Sequence, residues 1–153
     1  MGCILGGEET VWLIHWKTKT YKDVNLGIFT YYEYSNGTFF YESQRFNKGN
    51  YSFIIYVFVS KRRDLKKCIK EIKKIIEDIE SLDKLAQKEF MDKLKDDKFK
   101  FWKITLRAIC YHKENNFAFE YNVSNYEEGI GHTLCVDFSK DKIIINTSFT
   151  GDD

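Results

Sequence analysis

The stretch that decides the fold is YSFIIYVFVSKRRDLKKCIKEIKKIIEDIESL, residues 51–82, because its hydrophobic pattern changes period partway along. Residues 51–59 are dominated by aromatic and β-branched side chains, which favours a buried strand. From Leu65 onward the apolar residues recur in steps of three and four, the spacing of one helix face. The stretch therefore predicts a strand that leads into an amphipathic helix, with Ser60 as its N-cap. The apolar positions of this helix are Leu65, Cys68, Ile69, Ile72, Ile75, Ile76, Ile79 and Leu82.

The residues before this stretch carry strand and turn signals. Residues 24–32 and 37–46 are rich in aromatic side chains and flank an Asn-Gly pair, which is typical of a tight hairpin turn. A second turn, NKGN at residues 47–50, precedes the strand at 51–59, and VWLIHW at residues 11–16 is a further short apolar run. Residues 10–59 are therefore predicted to form a meander of three or four antiparallel strands.

The residues after this stretch predict a second helix and then more strands. The second helix is expected from about Ser81 to residue 95, and strands are expected between about residues 99 and 149. One face of that helix would carry Leu85, Ala86, Phe90 and Leu94. Strands, two helices and strands in this order predict a single α+β domain over residues 1–153. Its sheet would be largely antiparallel, with the two central helices, at about residues 61–95, packed on one face.

Composition narrows the classes of function. The formal net charge is +1, so no overall field attracts the chain to nucleic acid or to a membrane surface. No apolar run approaches the roughly 18 residues that a membrane-spanning helix needs. The scattered cysteines have no metal or redox spacing, so we expect free thiols, a reducing compartment and a cytoplasmic location. These cysteines are Cys3, Cys68, Cys110 and Cys135.

The segment YNVSNYEEGIGHTLCVDF, residues 121–138, contains residue types that can perform chemistry. His132 and Cys135 are three residues apart in a predicted strand, so they should point to opposite faces and cannot share one metal ion. No catalytic triad order or phosphate-binding loop is present. We therefore expect no catalytic residues, no metal and no cofactor. An enzyme whose carboxylate site matches no known motif is the least favoured of the three functions considered for this sequence.

A basic run over residues 61–74 offers a second interpretation. Its lysines could contact nucleic acid or an acidic partner, although no aromatic residue alternates with them and a solvated helix face would look the same. The residues concerned are Lys66, Lys67, Lys70, Lys73 and Lys74. We keep this binding module as the alternative to the interpretation that follows.

The C-terminal third resembles the end of a bacterial domain family. The motifs that carry the resemblance are an aromatic strand at 117–121, the acidic pair Glu127–Glu128, the motif Gly-His-Thr-Leu at 131–134 and the Gly-Asp pair at 151–152. The resemblance as a whole extends over about residues 24–152. Small α+β proteins of this kind are similar to immunity proteins of polymorphic toxin systems, including contact-dependent growth inhibition. The resemblance implies a non-enzymatic protein that binds and neutralises a cognate toxin C-terminal domain.

The partner expected from this resemblance is a basic nuclease toxin. Residues 101–153 hold more acids than bases, and an acidic surface would accelerate association with a basic protein. The expected contact residues are Glu120, Glu127, Glu128 and Asp137. On this interpretation no membrane, nucleic acid or small-molecule ligand takes part.

Overall fold

The structure is a computed structural model that describes residues 19–93, 103–114, 116–125 and 130–150. Its elements follow the predicted order of strands, two helices and strands, so the α+β class is confirmed. The strand predicted at 11–16 lies outside the described residues, as does the end of the second helix. The elements are β1 (Thr20–Asp23), β2 (Gly27–Glu33), β3 (Phe39–Ser43), β4 (Phe46–Lys48), β5 (Tyr51–Phe58), α1 (Arg62–Glu77), α2 (Ile79–Lys93), β6 (Lys103–His112), β7 (Phe117–Asn125), β8 (Ile130–Phe138) and β9 (Ile144–Thr150).

The strands form one mixed sheet in the order β1-β2-β3-β5-β6-β7-β8-β9, with β4 paired to β5. The pairings on either side of the centre are antiparallel, whereas β5 and β6 run parallel, with Ile54 opposite Ala108. A tight hairpin cannot join parallel neighbours, and here α1 and α2 provide the long crossover that such a pair needs. The two helices predicted from the change of period therefore return the chain to the start of the sheet, so that β6 runs in the same direction as β5.

The first turn shortens a predicted strand. Oδ2 of Asp23 accepts hydrogen bonds from the backbone N–H of Asn25 at 2.9 Å and of Leu26 at 2.8 Å. Gly27 follows with a φ of +85°, a conformation that other residues rarely adopt. The prediction that a strand starts at residue 24 is wrong by three residues, because the Asp23 side chain closes a turn there.

The hairpin turn at the Asn-Gly pair agrees with the sequence, but the strand predicted after that turn does not. Gly37 has a φ of +84° and donates to the carbonyl of Tyr34 at 3.0 Å, which confirms the hairpin at the Asn-Gly pair. The single strand predicted after it is divided into β3 and β4. Ser43 marks the division, since its hydroxyl donates to the Gln44 carbonyl at 2.7 Å and accepts from the Ile55 N–H at 2.8 Å.

Helix α1 buries the predicted apolar face but begins differently. Lys61, and not Ser60, is the N-cap residue, and no side chain caps the helix. Helix α2 begins at Ile79, two residues before the predicted start. The buried residues of α1 are Leu65, Cys68, Ile69, Ile72, Ile75 and Ile76, as the period predicted. Ile79 and Leu82, which the period assigned to the same helix, belong to α2, because α1 ends at Glu77.

Helix α2 is rotated relative to the prediction. Ala86 and Phe90 are fully buried, as expected, but Leu85 is 49% exposed. Its expected place on the inner face is taken by Leu82 and Asp83, which are both buried. A polar residue therefore occupies a core position that the hydrophobic pattern alone would not assign to it.

The buried residues fall into two clusters that involve different elements. The larger one joins the buried side chains of both helices to alternate strand residues, such as Ile55, Ile109 and Phe119. The smaller one contains only strand residues: Phe40, Tyr56, Ala108, Cys110 and Ala118. Because neighbouring residues of a strand point to opposite faces, the two clusters lie on opposite faces of the sheet. In the described part of the chain, no helix is long and apolar enough to cross a membrane.

Candidate functional site

Glu120 is the first of the acids expected to contact a partner. It lies in the middle of β7, its side chain is only 4% exposed, and Oε1 lies 3.0 Å from Nη2 of Arg107. Burial raises the pKa of the Glu120 carboxyl, and the nearby Arg107 guanidinium opposes that shift. The carboxylate is thus engaged inside the protein, which argues against direct contact with a partner.

Asp137 is also buried, at 7% exposure, and it accepts a hydrogen bond from Nδ2 of Asn146 at 3.4 Å. It pairs with Ala118 of β7, so it is a diagonal neighbour of Glu120 on the same face of the sheet. Glu127 and Glu128 fall between β7 and β8, outside the described residues. The structure therefore brings two of the four expected residues together, but in its interior.

His132 and Cys135 lie on opposite faces of β8, as their spacing predicted. His132 is buried, and its ring centroid lies 5.2 Å from that of Phe149. Cys135 pairs with Glu120 on one side and with Ser148 on the other. Within the described residues, no group of three or more potential ligands could hold a metal ion.

The cysteines correct one expectation. Cys68 and Cys135 are free and buried, and burial raises the pKa of the Cys68 thiol to about 11, which makes it a poor nucleophile. Cys110, however, takes part in a disulfide bond. The expectation of free thiols is therefore wrong at Cys110, because scattered positions in sequence do not reveal which side chains the fold brings together.

Exposed cations of α1 form a charged surface along the helix. Arg63, Lys67, Lys70 and Lys74 follow one another in steps of four, three and four, so they form one ridge along the helix. All of them are exposed, and Lys74 forms an ion pair with Glu71 at 3.2 Å. We call these four residues the cationic ridge.

Two of the remaining cations of the basic run have different roles. Lys73 is held by Oδ1 of Asp23 at 3.1 Å, which connects α1 to the first turn of the sheet. Lys66 is exposed and lies over the ring of Tyr21 at 6.0 Å. Lys73 is therefore a structural contact, and it does not belong to an open binding surface.

A concave site lies on the sheet face opposite the larger cluster, and sequence reasoning missed it. This groove has a volume of about 380 Å³ and runs over the first half of β6 between β5 and β7. We call it the bulge groove. Its polar lining includes Arg45, Ser52, Lys103, Thr105, Arg107 and Asn122.

A β-bulge shapes this groove. Leu106 pairs with Tyr121 and Ala108 pairs with Glu120, so Arg107 is the extra residue of β6. Bulges redirect side chains and often occur beside functional sites. The sequence did hold a signal, because the inward apolar residues of this strand follow one another in steps of two, three and two. These residues are Ile104, Leu106, Ile109 and Tyr111.

Tyr56 is one of the residues that line the groove. Burial, followed by the charge of Glu42 and the hydrogen bond to it, raises the pKa of the Tyr56 hydroxyl to about 12, although Arg107 opposes this shift. The phenol therefore stays protonated at neutral pH. A protonated hydroxyl here can serve as a hydrogen-bonding group, but not as a base.

A second cavity, of about 460 Å³, opens beside His112 and Asp137. His112 is half-buried and stacks on Phe58 with ring centroids 4.9 Å apart. Burial lowers the pKa of the His112 imidazole. This histidine is thus packed as an aromatic side chain against the neighbouring strand.

Known proteins give no match to this chain: no family model, no curated protein and no solved structure is similar to it. The class that the fold itself defines is an α+β protein on a nine-stranded mixed sheet, counted over the described residues.

Proposed function

We propose that this chain is a non-enzymatic immunity protein that binds and neutralises a cognate toxin domain in the cytoplasm. The observation that carries the proposal is that buried carboxylates form hydrogen bonds and ion pairs within the protein. Asp83 accepts from two tyrosines, Asp23 from two backbone N–H groups and Lys73, and Glu120 pairs with Arg107. These carboxylates support the scaffold, and exposed charges are left for recognition.

We further infer that both helices cover one face of the sheet. Every buried apolar side chain of α1 belongs to the larger cluster, together with Ala86 and Phe90 of α2. This arrangement turns the cationic ridge of α1 towards solvent. A ridge on a rigid, well-anchored helix is a suitable surface for a protein partner.

The charge expected of the toxin depends on which surface makes the contact. A basic nuclease partner was inferred from four acids, and the burial of Glu120 and Asp137 leaves Glu127 and Glu128 to carry that inference. Contact through the cationic ridge would instead require an acidic surface on the toxin. Both surfaces are compatible with neutralisation, and they predict opposite effects of charge reversal.

Co-purification with the product of the neighbouring gene tests the proposal. We expect a stable 1:1 complex and loss of toxicity when both genes are expressed. Two charge-reversal variants, equal in magnitude and opposite in sign, then locate the interface: Glu127→Lys with Glu128→Lys, and Lys67→Glu with Lys70→Glu. Absence of a complex, together with a harmless neighbour, would refute the immunity function.

The cationic ridge also favours a second candidate, a module that binds nucleic acid or an acidic partner. Filter binding to a nucleic acid at low salt tests the nucleic-acid form directly. A steep decline of affinity with salt, reduced in Lys67→Glu with Lys70→Glu, would support it, because phosphate contacts release counterions. No retention at low salt would exclude nucleic acid as the partner.

The disulfide of Cys110 opposes one part of the proposal, namely the reducing compartment. It does not bear on toxin binding itself.

A further inference from the structure

The bulge groove collects positive charge from three separate parts of the fold. Arg45 comes from the segment between β3 and β4, Lys103 from the start of β6, and Arg107 from the bulge. None of the described residues that line the groove is acidic. Because no local sequence motif holds these three cations together, only the pairing of the strands creates this cluster.

Arg107 is the best-positioned of the three. The buried carboxylate of Glu120 holds its guanidinium at 3.0 Å through Nη2, yet the Arg107 side chain remains 51% exposed. A guanidinium has five N–H donors, so one carboxylate contact leaves donors available for a second oxyanion. Glu120 therefore fixes the direction of Arg107 without using its full binding capacity.

The remaining polar lining consists of groups that can donate. Ser52, Thr105 and Ser124 carry hydroxyls, and Asn122 carries an amide. The Arg45 guanidinium is itself anchored by a contact of 3.3 Å between Nη1 and Oγ of Ser52. Cations and donors that converge on one concavity match the chemistry of a phosphate or carboxylate group.

The size of the groove limits the ligand. A volume of about 380 Å³ lies at the lower end of the range for small-molecule sites, about 300–1,000 Å³. Tyr56 lies at the wall and is only 8% exposed, so it offers no open ring face on which a base could stack. These features favour a small anion over a nucleic-acid strand.

We propose that the bulge groove is a binding site for a small, multiply charged oxyanion, held by Arg107, Lys103 and Arg45. This site goes beyond the toxin-binding function and does not depend on it. It also differs from the expectation, drawn from the sequence, that no small-molecule ligand takes part. The shared ligand chemistry is a phosphate or carboxylate group, and the experiment separates these two sources.

Titration of the ¹⁵N-labelled full chain by NMR tests the proposal, with inorganic phosphate, pyrophosphate and succinate as probes at constant ionic strength. We expect saturable shifts of the amides around Thr105, Arg107 and Asn122. Tighter binding of the phosphates would identify a phosphoryl ligand, and tighter binding of succinate would identify a carboxylate. Shifts that are absent, or that rise linearly without saturation for every probe, would overturn the proposal.

Charge-removing variants make the test specific. Lys103→Gln should weaken binding about tenfold, whereas Lys88→Gln removes an equal charge from the exposed surface of α2 and should leave binding unchanged. Arg107→Gln would strand the buried carboxylate, so it is combined with Glu120→Gln to protect the fold. Equal binding by wild type, Lys103→Gln and the double variant would refute the site.

Discussion

The hydroxyl of Tyr121 donates a hydrogen bond of 2.6 Å to Oδ1 of Asp83, and this bond joins the middle of β7 to helix α2. The other carboxylate oxygen accepts from the Tyr51 hydroxyl at 2.8 Å and from Nε2 of Gln87 at 3.0 Å. Tyr121 and Asp83 are both buried. A buried carboxylate with both oxygens hydrogen-bonded fixes the position of the helix on the sheet.

Replacement of Asp83 by alanine should therefore destabilise the protein. Two tyrosine hydroxyls would lose their acceptor, and a buried donor without an acceptor costs roughly 1–3 kcal/mol. We expect the free energy of unfolding to fall by about 3 kcal/mol, measured by urea denaturation. The matched control is Lys84→Ala on the adjacent exposed position of α2, which should change it by less than about 0.5 kcal/mol. Similar losses in both variants would contradict this role of Asp83.

Asp23 should make the protein sensitive to acid. Burial opposes its ionisation, but hydrogen bonds from the backbone N–H groups of Leu26 and Asn25, with the hydrogen bond and charge of Lys73, outweigh burial and lower the pKa below 3.8. A lowered pKa in the folded state stabilises the protein above the unfolded pKa, and this contribution is lost as the pH falls through the folded pKa.

The variant Asp23→Asn tests this contribution. At neutral pH it should lower the free energy of unfolding by about 1 kcal/mol, because a charged acceptor of backbone N–H groups is lost. The difference from wild type should shrink as the pH falls below 3.8, the ordinary value of the carboxyl. A difference that stays constant from neutral pH into acid would show that the charge of Asp23 does not contribute.

Tyr51 and Tyr56 should ionise late in alkali. Burial, followed by the hydrogen bond to Asp83, raises the pKa of Tyr51 to about 12, and burial with the charge of Glu42 raises that of Tyr56 to about 12. Raised pKa values stabilise the folded state below pH 10, the ordinary value, and this stability is lost as the pH rises towards 12. Tyrosinate absorbance during a pH titration measures both steps.

The variants Tyr51→Phe and Tyr56→Phe assign these late steps. Each should remove one tyrosine from the titration near pH 12. If the late step keeps its amplitude in both variants, other tyrosines are responsible for it.

The disulfide of Cys110 predicts the number of reactive thiols. The chain has four cysteines, and Cys68 and Cys135 are free. Purified without reductant, unfolded in denaturant and treated with a thiol reagent, it should show two reactive thiols if the bond forms within one chain. Four thiols would show that Cys110 is reduced and would agree with the compartment expected from the sequence.

Local patterns carried the prediction of secondary structure. Hydrophobic period located both helices, and the Asn-Gly pair located the hairpin at Gly37, since each depends on near neighbours in the chain. The strand predicted from residue 24 failed because the Asp23 side chain closes a turn, which the strand-like residues that follow concealed. Leu85 was predicted to face the core, but Asp83 is buried on the inner side of the helix instead. The Asp83 carboxylate can be buried because it accepts hydrogen bonds from Tyr51 and Tyr121, which lie far away in sequence.

The candidate sites were much less predictable. Glu120 and Asp137 were expected to contact a partner, yet both lie on the sheet face opposite the larger cluster and are buried. The bulge at Arg107 could be predicted from the irregular spacing of apolar residues in β6, but the cluster of cations in the bulge groove could not. This cluster depends on Arg45 and Lys103, which approach Arg107 only through the pairing of β4, β5 and β6.

The sequence by itself determined the α+β class, the order of the elements and the inward face of α1, because hydrophobic period and turn chemistry act over a few residues. Only the tertiary structure decided the parallel pairing of β5 with β6, the burial of Glu120 and the convergence of cations in the bulge groove. The physical reason is distance along the chain. Contacts such as Tyr121 with Asp83 join residues that no local pattern relates, and the free energy of the whole fold selects them.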